Sequence, residues 1–254
     1  MTTQTFPSHH GKRHQAEHLF KGPIAEEYAM LQKICPAAAT MSRQVGELVN
    51  RLPASADGPL RVLEIGCGTG ITTLNLLARP DVDITSVDNA PAMLHQARHY
   101  LADYLTWQRV QLIENDALSF LSQQADNSVE VVASAYTLHN FLNPYRDLVL
   151  AEILRVLKPG GLFINGDRYA LDDSLMHLHT IQEEARHYFK TFTAMNRADL
   201  LEHWIIHLFS DESPDHIMRL NTALTTMEDL GFDRIQVHYR EGVNTLVSAT
   251  KPDY

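Results

Sequence analysis

The chain alternates between two hydrophobic periods, and the switches between them outline its elements. Apolar residues recur at helical spacing over 24–34 and 37–52, and Pro53 with the turn-rich ASADGP ends the second stretch. From Leu60 onward, short apolar runs alternate with amphipathic segments: RVLEIG, a helix over 71–77, DITSVD, a helix over 90–104, RVQLIEN, a helix near 117–124, VEVVASAY, a helix over 145–157, and GLFINGD. Five strands joined by helices require crossover connections, which predicts a parallel sheet covered on both faces. Strand character is lost between 172 and 210, where two helices rich in His, aromatics and acids are expected, and a further helix is expected over 216–230. The chain closes with FDRIQVHYREG and VNTLVSATK, two β-rich runs meeting at Glu241-Gly242, which suits an antiparallel hairpin at the sheet edge. Residues 1–15 are polar, show no apolar period and read as an unanchored arm.

Length and charge narrow the partners. The 254 residues, 44% of them apolar, fit one domain divided into arm and helices (1–59), a sheet core (60–167), a helical lid (168–215) and a closing helix and hairpin (216–254). Lys and Arg number 21 against 31 Asp and Glu, so a phosphate-binding footprint is missing and nucleic acid is not an expected partner. Cys35 and Cys67 lack any CxxC spacing and read as reduced thiols. With no signal-like or bilayer-length apolar run, a cytoplasmic protein that does not enter membranes is expected. Monomer and homodimer remain open.

The chemistry concentrates in VLEIGCGTG, where a strand enters a glycine-rich turn that opens a helix. Without Cβ atoms, Gly66, Gly68 and Gly70 let the backbone turn tightly and a ligand lie against its amides. The spacing is GxGxG, whereas a dinucleotide turn has GxGxxG, and Glu64 would repel a pyrophosphate but suits a cationic sulfonium amino acid. A nicotinamide oxidoreductase is therefore the weaker reading, and a non-catalytic binder would have no need of the lid.

EIGCGTG, an acid ending the next strand and Asp-Ala after the third together resemble the class I S-adenosylmethionine-dependent methyltransferases over about 60–167. The resemblance implies an α/β, Rossmann-like, doubly wound and mostly parallel seven-stranded sheet with an antiparallel last strand, here with an inserted helical lid. It implies S-adenosylmethionine as cofactor and S-adenosylhomocysteine as product. The implied cofactor site comprises Glu64, Gly66, Cys67, Gly68, Asp88, Asn89, Met93, Asp116, Ala117 and Ala135, with Asp88 taking the ribose hydroxyls and Asp116 the adenine amino group. Either Asp also suits helix N-capping. DNAPAMLHQARHYLADY is in turn similar to the carboxy-S-adenosylmethionine synthases, whose carboxylated product would need an added cation, for which Arg168, Arg186 and Arg197 are the choices.

Methyl transfer relies chiefly on in-line positioning and exclusion of water, with a neutral His as base where the acceptor carries a proton. His139 is the first choice for that base and His203 the second. Tyr28, Tyr136, Arg168, Tyr169 and Trp204 are expected to shape the acceptor pocket, although each could equally be packing. Ser134-Ala135-Tyr136-Thr137 stands where amino-methylating nucleic-acid enzymes carry an Asn-Pro-Pro-Tyr type tetrad, so a small-molecule acceptor is expected. Of the 14 His, His203 and His207 stand i, i+4 as two metal ligands would; with no third ligand in sight, no metal is assigned.

Overall fold

Strands buried on both faces need hydrogen-bonded neighbours on both sides, and β1 (Leu60–Ile65) has them. In the computed structural model, which describes residues 35–54 and 58–253, Val62 pairs with Ile84 of β2 (Val82–Asp88) and with Val131 of β4 (Val129–Ala135), both in parallel. β3 (Val110–Glu114) extends the sheet beyond β2, and β5 (Leu157–Arg168) extends it beyond β4. The closing hairpin supplies β6 (Asp233–Glu241) and β7 (Asn244–Thr250), with β7 antiparallel to both β5 and β6. The order is β3-β2-β1-β4-β5-β7-β6, the seven-stranded mixed sheet expected from the sequence. The order in which strands are added reverses between β1 and β4, and open α/β sheets bind ligands at such a switch point, beyond the strands' carboxyl ends.

The helices cover both faces. α1 (Pro36–Asn50) turns Met41, Val45 and Val49 onto the sheet. α2 (Ile71–Leu76) follows the glycine turn. The single helix expected over 90–104 is two, α3 (Pro91–Tyr100) and α4 (Ala102–Thr106), because Leu101 leaves helical geometry to bury itself against the glycine turn beside Gly70. α5 (Ala117–Ser122) and α6 (Asn143–Val156) complete the crossovers. The lid is α7 (Ser174–Ala194) and α8 (Ala198–Asp211), and Asp173 starts α7 by accepting from the Leu175 and Met176 amides, each at 2.9 Å.

The last helix, α9 (Leu220–Leu230), begins later than its apolar period suggests. Met218 and Leu220 hydrogen-bond the backbone of Ala170 in an isolated bridge, which holds the residues before α9 extended. The lid has an apolar core of its own: Ile181, Tyr188, Phe192, Leu200, Trp204 and Leu208 pack with Ala38 of α1. No helix among the described residues is long and apolar enough to cross a membrane. Tyr28 and the helix expected over 24–34 lie outside the described residues.

Candidate functional site

The β1–α2 turn takes its shape from its glycines. Gly66 and Gly68 have φ of 71° and 52°, and a Cβ on Gly66 would overlap the Thr137 side chain. Asp88, ending β2, reinforces the turn: Oδ2 accepts from the Gly68 amide at 2.8 Å and Oδ1 from the Ala90 amide at 2.8 Å. Burial raises its carboxyl above the ordinary value against the pull of these amides. Each oxygen keeps a second lone pair for a ligand hydroxyl.

Around this turn, at the ends of β1, β2, β3 and β4, lies a cleft. Of the residues expected to bind cofactor, it is lined by Gly66, Gly68, Asp88, Asn89, Met93, Ala117 and Ala135, together with Tyr136. Three others are placed differently. Glu64 lies fully buried beneath the turn, its Oε2 accepting from Thr73 Oγ1 and Ser86 Oγ at 2.6 Å each. Cys67 is buried beside it, and burial raises its thiol; Cys35 and Cys67 are both free. Asp116 caps α5, its Oδ1 accepting from the Ser119 amide at 2.9 Å and from the Tyr145 hydroxyl at 3.0 Å, so the capping alternative describes its position.

Asn115, Thr137, Asn140 and Phe141 also line the cleft, and the sequence reading missed them. Asn115 could have been found as the neighbour of Asp116 at the end of β3. The other three follow Tyr136, which turns the chain with a φ of 51°, a conformation costly for an aromatic residue. The Tyr136 amide donates to the Gly166 carbonyl at 2.9 Å, and its hydroxyl donates to Asn244 Oδ1 and accepts from the Cys35 thiol.

Cys35 and Asn244 also line a second cavity of about 480 Å³, bounded among the described residues by α1, α7 and the β6–β7 hairpin. Arg168, Glu184 and Tyr188 reach it. It lies between α1 and the lid, with Tyr136 standing between it and the cleft. Arg168 enters as part of an ion pair: its guanidinium meets Glu184 at 2.6 Å and Glu212 at 3.4 Å. Arg186 pairs with Glu183 on the surface, and Arg197 pairs with Asp199 at 2.9 Å.

The remaining expectations fall elsewhere. Tyr169 is a core residue whose hydroxyl accepts from Asn165 Nδ2 at 2.8 Å, and Trp204 packs on Tyr188 inside the lid. His203 is exposed, with Nδ1 2.7 Å from the Asp199 carbonyl, and does not line the cleft. Four residues of helix advance about 40° beyond a full turn. His207 stands at the angular edge of the buried face of α8, which runs through Leu200, Trp204, Leu208 and Asp211, so His203 falls outside it and the two histidines do not share an environment.

His139 is buried and lines neither cavity. Its Nδ1 is 2.5 Å from Asp167 Oδ1, and Nε2 turns toward the lid. Burial opposes ionisation of Asp167, but the imidazole of His139 hydrogen-bonded to it, the Arg168 amide and the nearby Arg146 guanidinium outweigh that and hold the carboxyl below its ordinary value. His139 packs edge-on against Tyr136, which stands between it and the cleft.

Residues 62–161 match the family described as a methyltransferase domain. Among curated proteins, the chain is similar to the carboxy-S-adenosyl-L-methionine synthase of Photorhabdus laumondii, 27% identical over 92% of this chain and 94% of that protein. It is likewise 27% identical to the same-named protein of Cronobacter sakazakii, over 84% of this chain and 85% of that one. Among solved structures, the phosphoethanolamine N-methyltransferase 2 of Haemonchus contortus, in complex with phosphomonomethylethanolamine and S-adenosylhomocysteine, superposes with a TM-score of 0.61 at 14% identity. That match covers 94% of this chain and 60% of that one. The YcgJ protein of Bacillus subtilis gives 0.57 at 17% identity, over 83% of this chain and 98% of that one. Structural likeness at these identities shows a shared fold. Residues 62–161 thus resemble a methyltransferase domain, and the sheet around them has the fold of these solved structures.

Proposed function

We propose that the enzyme transfers the methyl group of S-adenosylmethionine to a small-molecule acceptor, leaving S-adenosylhomocysteine. The observation that carries this reading is Asp88, whose two oxygens already order the glycine turn and line the switch-point cleft beside Asn89 and Met93. A carboxylate at that strand end suits a vicinal ribose diol, and the amides and side chains of Asn115 and Ala117 suit the adenine. The acceptor approaches from the cavity lined by Arg168, Glu184 and Tyr188, across Tyr136. Positioning and exclusion of water supply the catalysis, because no His among the described residues lines the cleft.

The near-full-length similarity to carboxy-S-adenosylmethionine synthases favours a second reading, in which the enzyme builds a carboxylated sulfonium. Such a product asks for a cation beside the sulfur. Among the described residues no Lys or Arg lines the cleft, and Arg168 is engaged by Glu184 and Glu212, which supports the uncharged methyl instead.

One experiment separates the two. The purified chain is titrated calorimetrically with S-adenosylmethionine and S-adenosylhomocysteine, with NADH as control, and any co-purified nucleoside is identified by mass spectrometry. Micromolar binding of the first two, about -8 kcal/mol, with methylated product from a metabolite mixture, supports methyl transfer. A co-purified carboxylated sulfonium supports the second reading, and binding of NADH alone would overturn both.

A further inference from the structure

Two distant parts of the chain bring imidazoles to one carboxylate inside the protein. His139 sits on the short 3-10 turn Leu138–Asn140 after β4, while His207 and Asp211 are one turn apart on α8. All three are buried, and a donor atom from each lies within 4.8 Å of the others. His139 Nε2 and His207 Nε2 stand 3.9 Å and 3.7 Å from the same oxygen, Asp211 Oδ2. Those separations are too long for hydrogen bonds. They do approach the spacing of donors around a single ion, since metal–nitrogen and metal–oxygen bonds near 2.1 Å place tetrahedral neighbours about 3.4 Å apart. Both distances to Asp211 lie within about half an ångström of that spacing.

Two further features point the same way. Asp167 holds Nδ1 of His139, which fixes the tautomer whose Nε2 lone pair faces Asp211 and His207. A carboxylate behind a ligating imidazole is the outer-shell arrangement of many metal sites. The surroundings also carry excess negative charge. Asp167, Asp211, Glu184 and Glu212 face this interior against the guanidiniums of Arg146 and Arg168, and His177 engages Glu212 at 2.5 Å. Four carboxylates against two guanidiniums leave an excess of acidic groups that a divalent cation would offset.

We propose that His139, His207 and Asp211 bind one divalent transition-metal ion, with zinc as the probe that fits two imidazoles and a carboxylate best. The ion joins α8 of the lid to the turn after β4, and so fastens the lid to the cofactor core. The spacing of His203 and His207 hinted at a metal, but the structure replaces His203 by Asp211 and finds the third ligand outside the lid. This inference does not rest on the identity of the acceptor or of the transferred group.

The test uses the full chain, stripped with chelator and titrated with zinc chloride. One equivalent binds, and at free zinc a hundred times above Kd the Tm rises by about 5 °C or more. His207→Gln and Asp211→Asn each weaken zinc binding at least tenfold, whereas His203→Gln, on the exposed face of the same helix, leaves it unchanged. Magnesium, which prefers an all-oxygen shell, does not compete. Absence of one-equivalent binding, binding indifferent to both variants, or equal binding of magnesium overturns the proposal. Should the variants fail to fold, X-ray absorption on the zinc-loaded wild-type chain decides instead: scattering from two imidazoles is expected, and its absence refutes the site.

Discussion

Glu64 carries a stability signal that can be worked out from its surroundings. It is fully buried under the glycine turn, with Oε2 accepting from Thr73 and Ser86 and no partner for Oε1 among the described residues. Burial drives its carboxyl upward, the two hydroxyl hydrogen bonds partly oppose that, and the charge of Asp88 adds to the rise, so it titrates at about 7 instead of 4.5. Between those values the folded chain holds a proton that the unfolded chain has released. The unfolding free energy therefore falls as pH rises: the contribution is fully present below 4.5 and is lost through about 7. At about 1.4 kcal/mol per pH unit, the difference amounts to about 3.5 kcal/mol.

Glu64→Gln keeps the shape of the protonated acid and removes its titration. Urea unfolding of both proteins from pH 4 to pH 8.5 should give curves whose separation is constant below pH 4.5 and then changes by about 3.5 kcal/mol in favour of the Gln variant as pH rises. Any fixed cost of the amide shifts the whole comparison without changing that slope. A separation that stays constant across the range would refute the reasoning and show that Glu64 is ionised in the folded protein at neutral pH.

Other substitutions probe the cleft and the lid. Asp88→Ala should weaken S-adenosylmethionine binding about tenfold or more in calorimetry, through lost charge-assisted hydrogen bonds and a loosened Gly68 turn; a change under twofold would remove Asp88 from the site. Gly66→Ala places a Cβ at positive φ against Thr137 and should cost about 1 kcal/mol or more in urea unfolding while reducing cofactor affinity; unchanged values for both would mean that the turn relaxes freely. Trp204→Ala empties the centre of the lid core and should destabilise the chain by about 3 kcal/mol, read from the shift in urea midpoint; a loss below about 1 kcal/mol would show the lid unfolding apart from the sheet.

What the sequence determined by itself is what local chemistry dictates. Period-2 and period-3.6 patterns place β1 to β5 and their helices because burial on a sheet face or a helix stripe must repeat at the geometry of its own element. VLEIGCGTG identifies the turn because glycines are needed where φ is positive, and Asp88 follows as the acid at the next strand end. Glu241-Gly242 locates the hairpin for the same reason, with Gly242 at a φ of 56°.

Tertiary structure decided what each polar side chain faces. Glu64 and Asp88 are both acids at strand ends, yet only Asp88 reaches the cleft, because the alternation of β1 directs Glu64 beneath the turn. His203 and His207 look equivalent at a spacing of four, but only packing of α8 settles which side of the buried boundary each occupies. Asp211 and Asp167 gave no signal as partners of His139, since their proximity arises from docking the lid against the ends of β4 and β5. Periodicity encodes which face of an element is buried; which residues meet there depends on contacts between segments far apart in the chain.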